Sequence, residues 1–171
     1  MKFKLRFPAK QIQELAGRFS DESSAVFVNE VGPAARARGF LTRPEFLALC
    51  EWKSPRTRPR CASNSEEFIA AVTGTALSTQ NEQLRVEVLT LLRGVSWPTA
   101  SVILHFCARD PFPILDVRAL WSVSAAVPSQ VDFPFWAEYT RFTRRLAARA
   151  GVGMRVLDCA LWQYSKENQS A

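Results

Sequence analysis

The chain has 171 residues, 22 Lys and Arg against 16 Asp and Glu, a net charge of +6 and a single histidine. A domain of that length buries roughly 70% of the surface its unfolded chain exposes, so one domain, or two small lobes around a shared core, needs no disulfide or metal staple. The sequence pI near 9.5 favours a polyanionic partner, and with no stretch of 18 or more apolar residues, nor an apolar run after the basic start Met1 to Arg6, neither a membrane span nor a signal peptide is expected.

Apolar spacing predicts a first helix over Pro8 to Phe19, a second over Asp21 to Val31 and a short third over Pro33 to Gly39 that ends on glycine. Thr42-Arg43-Pro44-Glu45 starts the next. Thr42 can cap, Pro44 suits the first turn, Glu45 can reach back as a capping box, and the helix should run to about Lys53. Ser54 to Asn64 reads as an irregular loop and linker, because Pro55 and Pro59 break regular structure while Arg56, Arg58 and Arg60 concentrate positive charge. Ser65-Glu66-Glu67 opens an apolar helix to about Leu77, and Gln80 to Arg93 forms another on Leu84, Val88, Leu89, Leu91 and Leu92. Gly94 and Ser96 interrupt that period, and Pro98 can open a further helix where its missing N–H is not needed. After an apolar, proline-punctuated loop, Asp116 stands as an N-cap before the helix-like Val117 to Val123. Two more helices follow, Pro134 to Ala150 and Met154 to Lys166, and strand-like alternation is weak throughout, so the fold class is all-α.

The four cysteines, Cys50, Cys61, Cys107 and Cys159, are scattered without a C-x-x-C pair. Beside one histidine they indicate no metal, whether as a zinc site or an iron–sulfur cluster, and free thiols in a reducing cytoplasm are expected. His105 lies in the apolar run Val102 to Phe106 and reads as a hydrogen-bonded core histidine.

The stretch Leu91 to Val123, LLRGVSWPTASVILHFCARDPFPILDVRALWSV, resembles the helix-hairpin-helix DNA glycosylase superfamily. Its hairpin reads Gly-hydrophobic-Gly, and its catalytic aspartate follows roughly twenty residues later; here Gly94-Val95-Ser96 matches two of the three hairpin positions and Asp116 stands at the expected distance. The resemblance is strong over 91–123 and faint outside it. It implies a two-lobed helical fold with a helix-hairpin-helix motif, the hairpin lobe covering roughly 40–115 and the second lobe roughly 1–39 with 117–171. It further implies a monomer that binds double-stranded DNA, needs no cofactor and is associated with the nucleoid.

A hairpin that points backbone N–H groups outward at a helix start makes an anion site, which grips a phosphate without reading sequence. On that basis Gly94, Val95, Ser96 and Trp97 are expected to meet DNA. The other reading of the same turn is an ordinary αα-connection between core helices. The resemblance implies that Asp116 stabilises the oxocarbenium sugar and directs water to its anomeric carbon. A charge pair at about 4 Å with an effective dielectric near 20 is worth roughly 4 kcal/mol, or about three decades in rate. As a plain N-cap Asp116 would contribute about 1 kcal/mol.

Pro98 occupies the position of the Schiff-base lysine of bifunctional members, which implies a monofunctional enzyme that leaves an abasic site. Lys53, in Trp52-Lys53-Ser54-Pro55, is either a displaced nucleophile or a helix-end lysine satisfying terminal carbonyls. Trp52 and Lys53 are the candidate pocket residues for a flipped base, with Trp97 a further stacking candidate, while Phe135, Trp136, Tyr139 and Phe142 read as core. Arg56 and Arg60, with Arg58, are candidates for a phosphate track, as are Arg141, Arg144, Arg145 and Arg149 on one helix; the alternative for all is a solvated face. The expected function is a monofunctional DNA glycosylase that hydrolyses the N-glycosidic bond of a damaged, mispaired or modified base. The alternative is a non-catalytic helix-hairpin-helix DNA-binding module.

Overall fold

A computed structural model describes residues 3–126 and 128–169, which form helices and connecting turns with no strand among them. The α-helices are α1 (Ile12–Arg18), α2 (Gly32–Arg38), α3 (Arg43–Lys53), α4 (Arg58–Ala62), α5 (Glu66–Ser78), α6 (Glu82–Glu87), α7 (Trp97–Cys107), α8 (Val117–Ser122), α9 (Phe133–Ala150) and α10 (Met154–Asn168). The all-α class is therefore observed. The chain divides into two compact units, one of residues 1–20 with 111–171 and one of residues 21–110.

In the unit that joins the termini, α1 and α8 pack on α10. The N-terminal segment is held by backbone bonds from Lys4 N to Val123 O and from Arg6 N to Ser122 O, both 2.9 Å. Phe3 then sits against Phe135, Tyr139 and Phe142 at centroid distances of 5.9, 5.6 and 5.5 Å. Trp136 stacks on Phe112 at 5.4 Å. Phe135, Trp136 and Tyr139 are buried and form core as expected, whereas Phe142 is half-buried. Asp132 starts α9 by accepting from Phe135 N at 2.9 Å, and Gly151, at φ +65°, ends it.

The unit of residues 21–110 departs from the expected segmentation in three places. The helices predicted over 21–31 and 33–39 run together, because a 3₁₀ turn (Glu22–Ser24) and a π-helix (Phe27–Val31) lead directly into α2. Pro33 falls in the first turn of α2, where a missing N–H breaks nothing. Gly32 is needed there, since a Cβ would stand 2.3 Å from Phe106 O.

The second departure concerns Ser54 to Asn64, which is neither irregular nor a linker between units. It folds as a 3₁₀ turn (Pro55–Thr57) and α4 inside residues 21–110. Both prolines sit at the first or second position of their helical turns, where proline starts helices instead of breaking them. Third, the helix expected over 80–93 is α6 followed by a 3₁₀ turn, Val88–Leu91.

The capping box at Thr42 and Glu45 is present, with Thr42 N donating to Glu45 Oε2 at 2.8 Å. Burial alone would raise the Glu45 pKa, but the Thr42 N–H and Arg38 bonds outweigh it and hold the carboxyl below its usual range. Among the described residues no helix is long and apolar enough to cross a membrane.

Candidate nucleic-acid interface and catalytic carboxylate

The hairpin is a four-residue turn closed by Val95 N donating to Leu92 O at 3.0 Å. Gly94 holds its third position at φ +84°. A side chain is excluded there on two counts: the left-handed backbone, and a Cβ that would lie 2.7 Å from Cys61 Sγ and 2.9 Å from Cys61 N. The sequence motif identifies the glycine but not what lies beneath it, which is the end of α4.

Asn64, 6% exposed, completes this base. Its Nδ2 donates to Arg93 O at 3.0 Å and to Cys61 O at 2.9 Å, while its Oδ1 accepts from Arg93 N at 2.9 Å. Nothing in the apolar period marks Asn64. The usable signal is a small amide side chain placed after a proline-started turn.

Beyond the turn, Ser96 is the N-cap of α7, exposed, and its side chain makes no capping hydrogen bond. The first N–H groups of a helix have no intrahelical acceptor, and the dipole places positive charge there. Pro98 removes one donor from this set. Val95 is 8% exposed with its N–H committed to the turn, so it anchors the hairpin from within; Trp97 is half-buried.

The arginines around this base fall into two kinds. Arg58 is paired with Glu51 at 3.0 Å and Arg43 donates to Ala62 O at 2.7 Å. Arg56, Arg60 and Arg93 are exposed, and among the described residues their guanidinium groups have no ion pair or hydrogen bond. Arg60 adjoins the hairpin directly, its Cβ 3.0 Å from where a Gly94 Cβ would stand.

Trp52 and Lys53 close α3. Trp52 Nε1 is shared by Asp21 Oδ2 and Ser23 Oγ, both at 3.1 Å, and its ring packs edge-on against Phe27 and Phe106 at 5.9 and 5.6 Å. That places Trp52 in the packing of its own unit. Lys53 is half-buried. His105 is also half-buried, edge-on to Phe106 at 4.9 Å. All four cysteines are free and buried. Burial pushes the Cys107 thiol up to about 12 and the Cys50 thiol further, with neighbouring Cys61 adding to the latter. Among the described residues no group of three His, Cys, Asp or Glu could hold a metal ion.

Asp116 belongs to the other unit. Phe112, Ile114 and Leu115, which lead to it in the chain, are themselves buried, and the aspartate caps α8 from extended backbone at φ −135° and ψ 143°. Its Oδ1 accepts from Arg118 N at 2.9 Å, which fixes the side chain half-buried at the head of the helix. Tyr139 lies near enough to respond to its charge. The phenol, fully buried and donating to Ile114 O at 3.3 Å, has its pKa pushed well above the ordinary value by burial first, then by the charges of Asp158 and Asp116. The carboxylate is therefore oriented by its cap bond, and the buried phenol stays protonated.

The all-helical fold with its hairpin has a counterpart among solved structures. The structure of Methanocaldococcus jannaschii 8-oxoguanine glycosylase/lyase in complex with a 15mer DNA containing 8-oxoguanine is similar, with 18% identity, coverage of 95% of this chain and 84% of that one, and a TM-score of 0.54. A structure of Methanocaldococcus jannaschii 8-oxoguanine DNA glycosylase gives 18% identity, 94% and 78% coverage and a TM-score of 0.48. No family model matches the sequence, and no curated protein matches it significantly.

Proposed function

We propose that the protein is a DNA glycosylase acting on double-stranded DNA, which hydrolyses the N-glycosidic bond of a damaged, mispaired or modified base. The observation that carries this reading is Asp116, a half-buried carboxylate held in one orientation by the first turn of α8, in a chain whose fold is similar to that of a glycosylase/lyase bound to DNA. As the bond between C1′ and the base breaks, its electron pair leaves with the base and the sugar becomes cationic. Water adds at C1′ and its proton passes to solvent or to the departing base. A carboxylate about 4 Å from that cation supplies roughly 4 kcal/mol at an effective dielectric near 20. The start of α7, with Arg60 and Arg93 beside the turn, is suited to hold phosphates during the step.

The finer assignment is a monofunctional enzyme. Pro98, the second residue of α7, offers no amine for an imine. Borohydride should then leave no covalent enzyme–DNA adduct. An adduct that disappears in Lys53→Ala would make Lys53 the nucleophile and the enzyme bifunctional.

The non-catalytic reading is favoured by one observation, the capping bond from Arg118 N, which already gives Asp116 a structural task. A panel of duplexes carrying 8-oxoguanine, uracil, hypoxanthine, alkylated purines or modified cytosines, scored for alkali-sensitive sites, separates the two. Excision on any member supports the enzyme; salt-sensitive binding of all members without excision supports the binding module.

A further inference from the structure

Helix α9 carries an arginine stripe that its own fold does not use. Its buried face includes Phe135, Trp136, Tyr139, Thr140, Thr143 and Ala147, whereas Arg141, Arg145 and Arg149 are exposed. Positions i, i+4 and i+8 share a helix face and span about 12 Å at 1.5 Å per residue. Like charges so spaced destabilise a helix, and among the described residues no carboxylate, carbonyl or ring engages any of the three. Other arginines of the same unit behave differently. Arg144, on the same helix, donates to Pro111 O at 2.8 Å and lies over Phe112 at 4.6 Å, and Arg18 meets Glu167 at 2.9 Å. Glu138, half-buried a turn before Arg141, is engaged elsewhere.

We propose that the Arg141–Arg145–Arg149 face of α9 is a second contact for the backbone of duplex DNA, separate from the hairpin. A duplex carries one negative charge per 1.7 Å of axis, hence about seven over the length of the stripe, so three guanidinium groups find phosphates in any register and read no sequence. The opposite side of α9 is committed to core packing, so the helix has no apolar face to insert into a lipid surface. The inference rests on DNA being the partner, but its test reads binding and not excision.

The test is titration of an undamaged duplex at several salt concentrations with the Arg141→Gln/Arg145→Gln/Arg149→Gln protein. Three lost phosphate contacts at about 0.9 each should lower the log–log salt slope by two to three and weaken affinity roughly tenfold or more near 0.1 M salt. Helicity should be unchanged, because all three side chains are exposed. An Arg6→Gln/Arg18→Gln/Lys166→Gln control removes equal charge from groups already engaged by Trp121, by carboxylates or by Trp162, and should change the slope by less than about one. A wild-type slope in the stripe variant, or an equal loss in the control, overturns the proposal. So does a stripe variant that loses binding to phosphatidylserine vesicles while duplex binding stays intact. A lowered slope in a protein that excises no base supports the stripe and counts only against the glycosylase reading.

Discussion

Asn64 and Arg93 are joined twice through one carboxamide, which donates to the Arg93 carbonyl at 3.0 Å and accepts from the Arg93 N–H at 2.9 Å. The short helix α4 therefore sets the position of the hairpin from below. Asn64→Ala removes both bonds and leaves part-buried backbone groups unmatched, which should cost about 1–3 kcal/mol in chemical denaturation and weaken duplex binding. Asn64→Asp keeps the acceptor but loses both donations, so its loss should be of similar size. Wild-type stability and affinity in both variants would show that the turn holds itself.

Gly94→Ala should be the most damaging single methyl in the hairpin. The φ of +84° costs an L-residue roughly 1–2 kcal/mol, and the new Cβ meets Cys61 Sγ and N at 2.7 and 2.9 Å. Combining it with Cys61→Ala should recover only part of the loss in a urea denaturation series, because the Cys61 N–H belongs to the backbone and cannot withdraw. Full recovery would place the whole conflict at the sulfur.

Acid should loosen the contact between α1 and α10. Arg18 grips Glu167 through Nε and Nη2 at 3.0 and 2.9 Å, and Gln163 adds a bond at 2.7 Å. The Arg18 bonds, then Gln163, lower the Glu167 pKa from 4.5 to about 2. A depressed carboxylate contributes stability that is present above its unfolded value and lost as pH falls through its folded one. The wild-type melting temperature should therefore fall between about pH 4.5 and pH 2 by more than that of Glu167→Gln. The pair is exposed, so the difference should be small and should shrink with added salt.

Local signals in the sequence make much of the architecture legible. The caps at Thr42, Ser65 and Asp116 and the stop at Gly39 are each specified within a few residues, and each is found where expected. Ser54 to Asn64 reads as irregular only while proline is weighed as a breaker; at the first turn of a helix it is a starter. The Asn64–Arg93 clamp and the packing of Cys61 under Gly94 join residues about thirty apart and leave no periodic trace. Arg144 differs from Arg145 only in which side of α9 it occupies, something a cluster of arginines in the sequence does not state.

Asp116 offers the sharpest test, because its two roles respond differently to one substitution. Asp116→Asn keeps the size and the oxygen that accepts from Arg118 N, so thermal stability should barely change. It removes the negative charge. If that charge stabilises a cationic sugar, single-turnover excision of the preferred substrate should fall by roughly two to four decades, in line with about 4 kcal/mol of Coulomb energy. Duplex affinity should hold or rise, since a carboxylate repels phosphate. Asp116→Ala should show the same loss of excision together with about 1 kcal/mol lower stability from the lost cap. A folded Asp116→Asn protein that excises at the wild-type rate would leave the aspartate as a cap alone and move the search for the chemistry to other side chains.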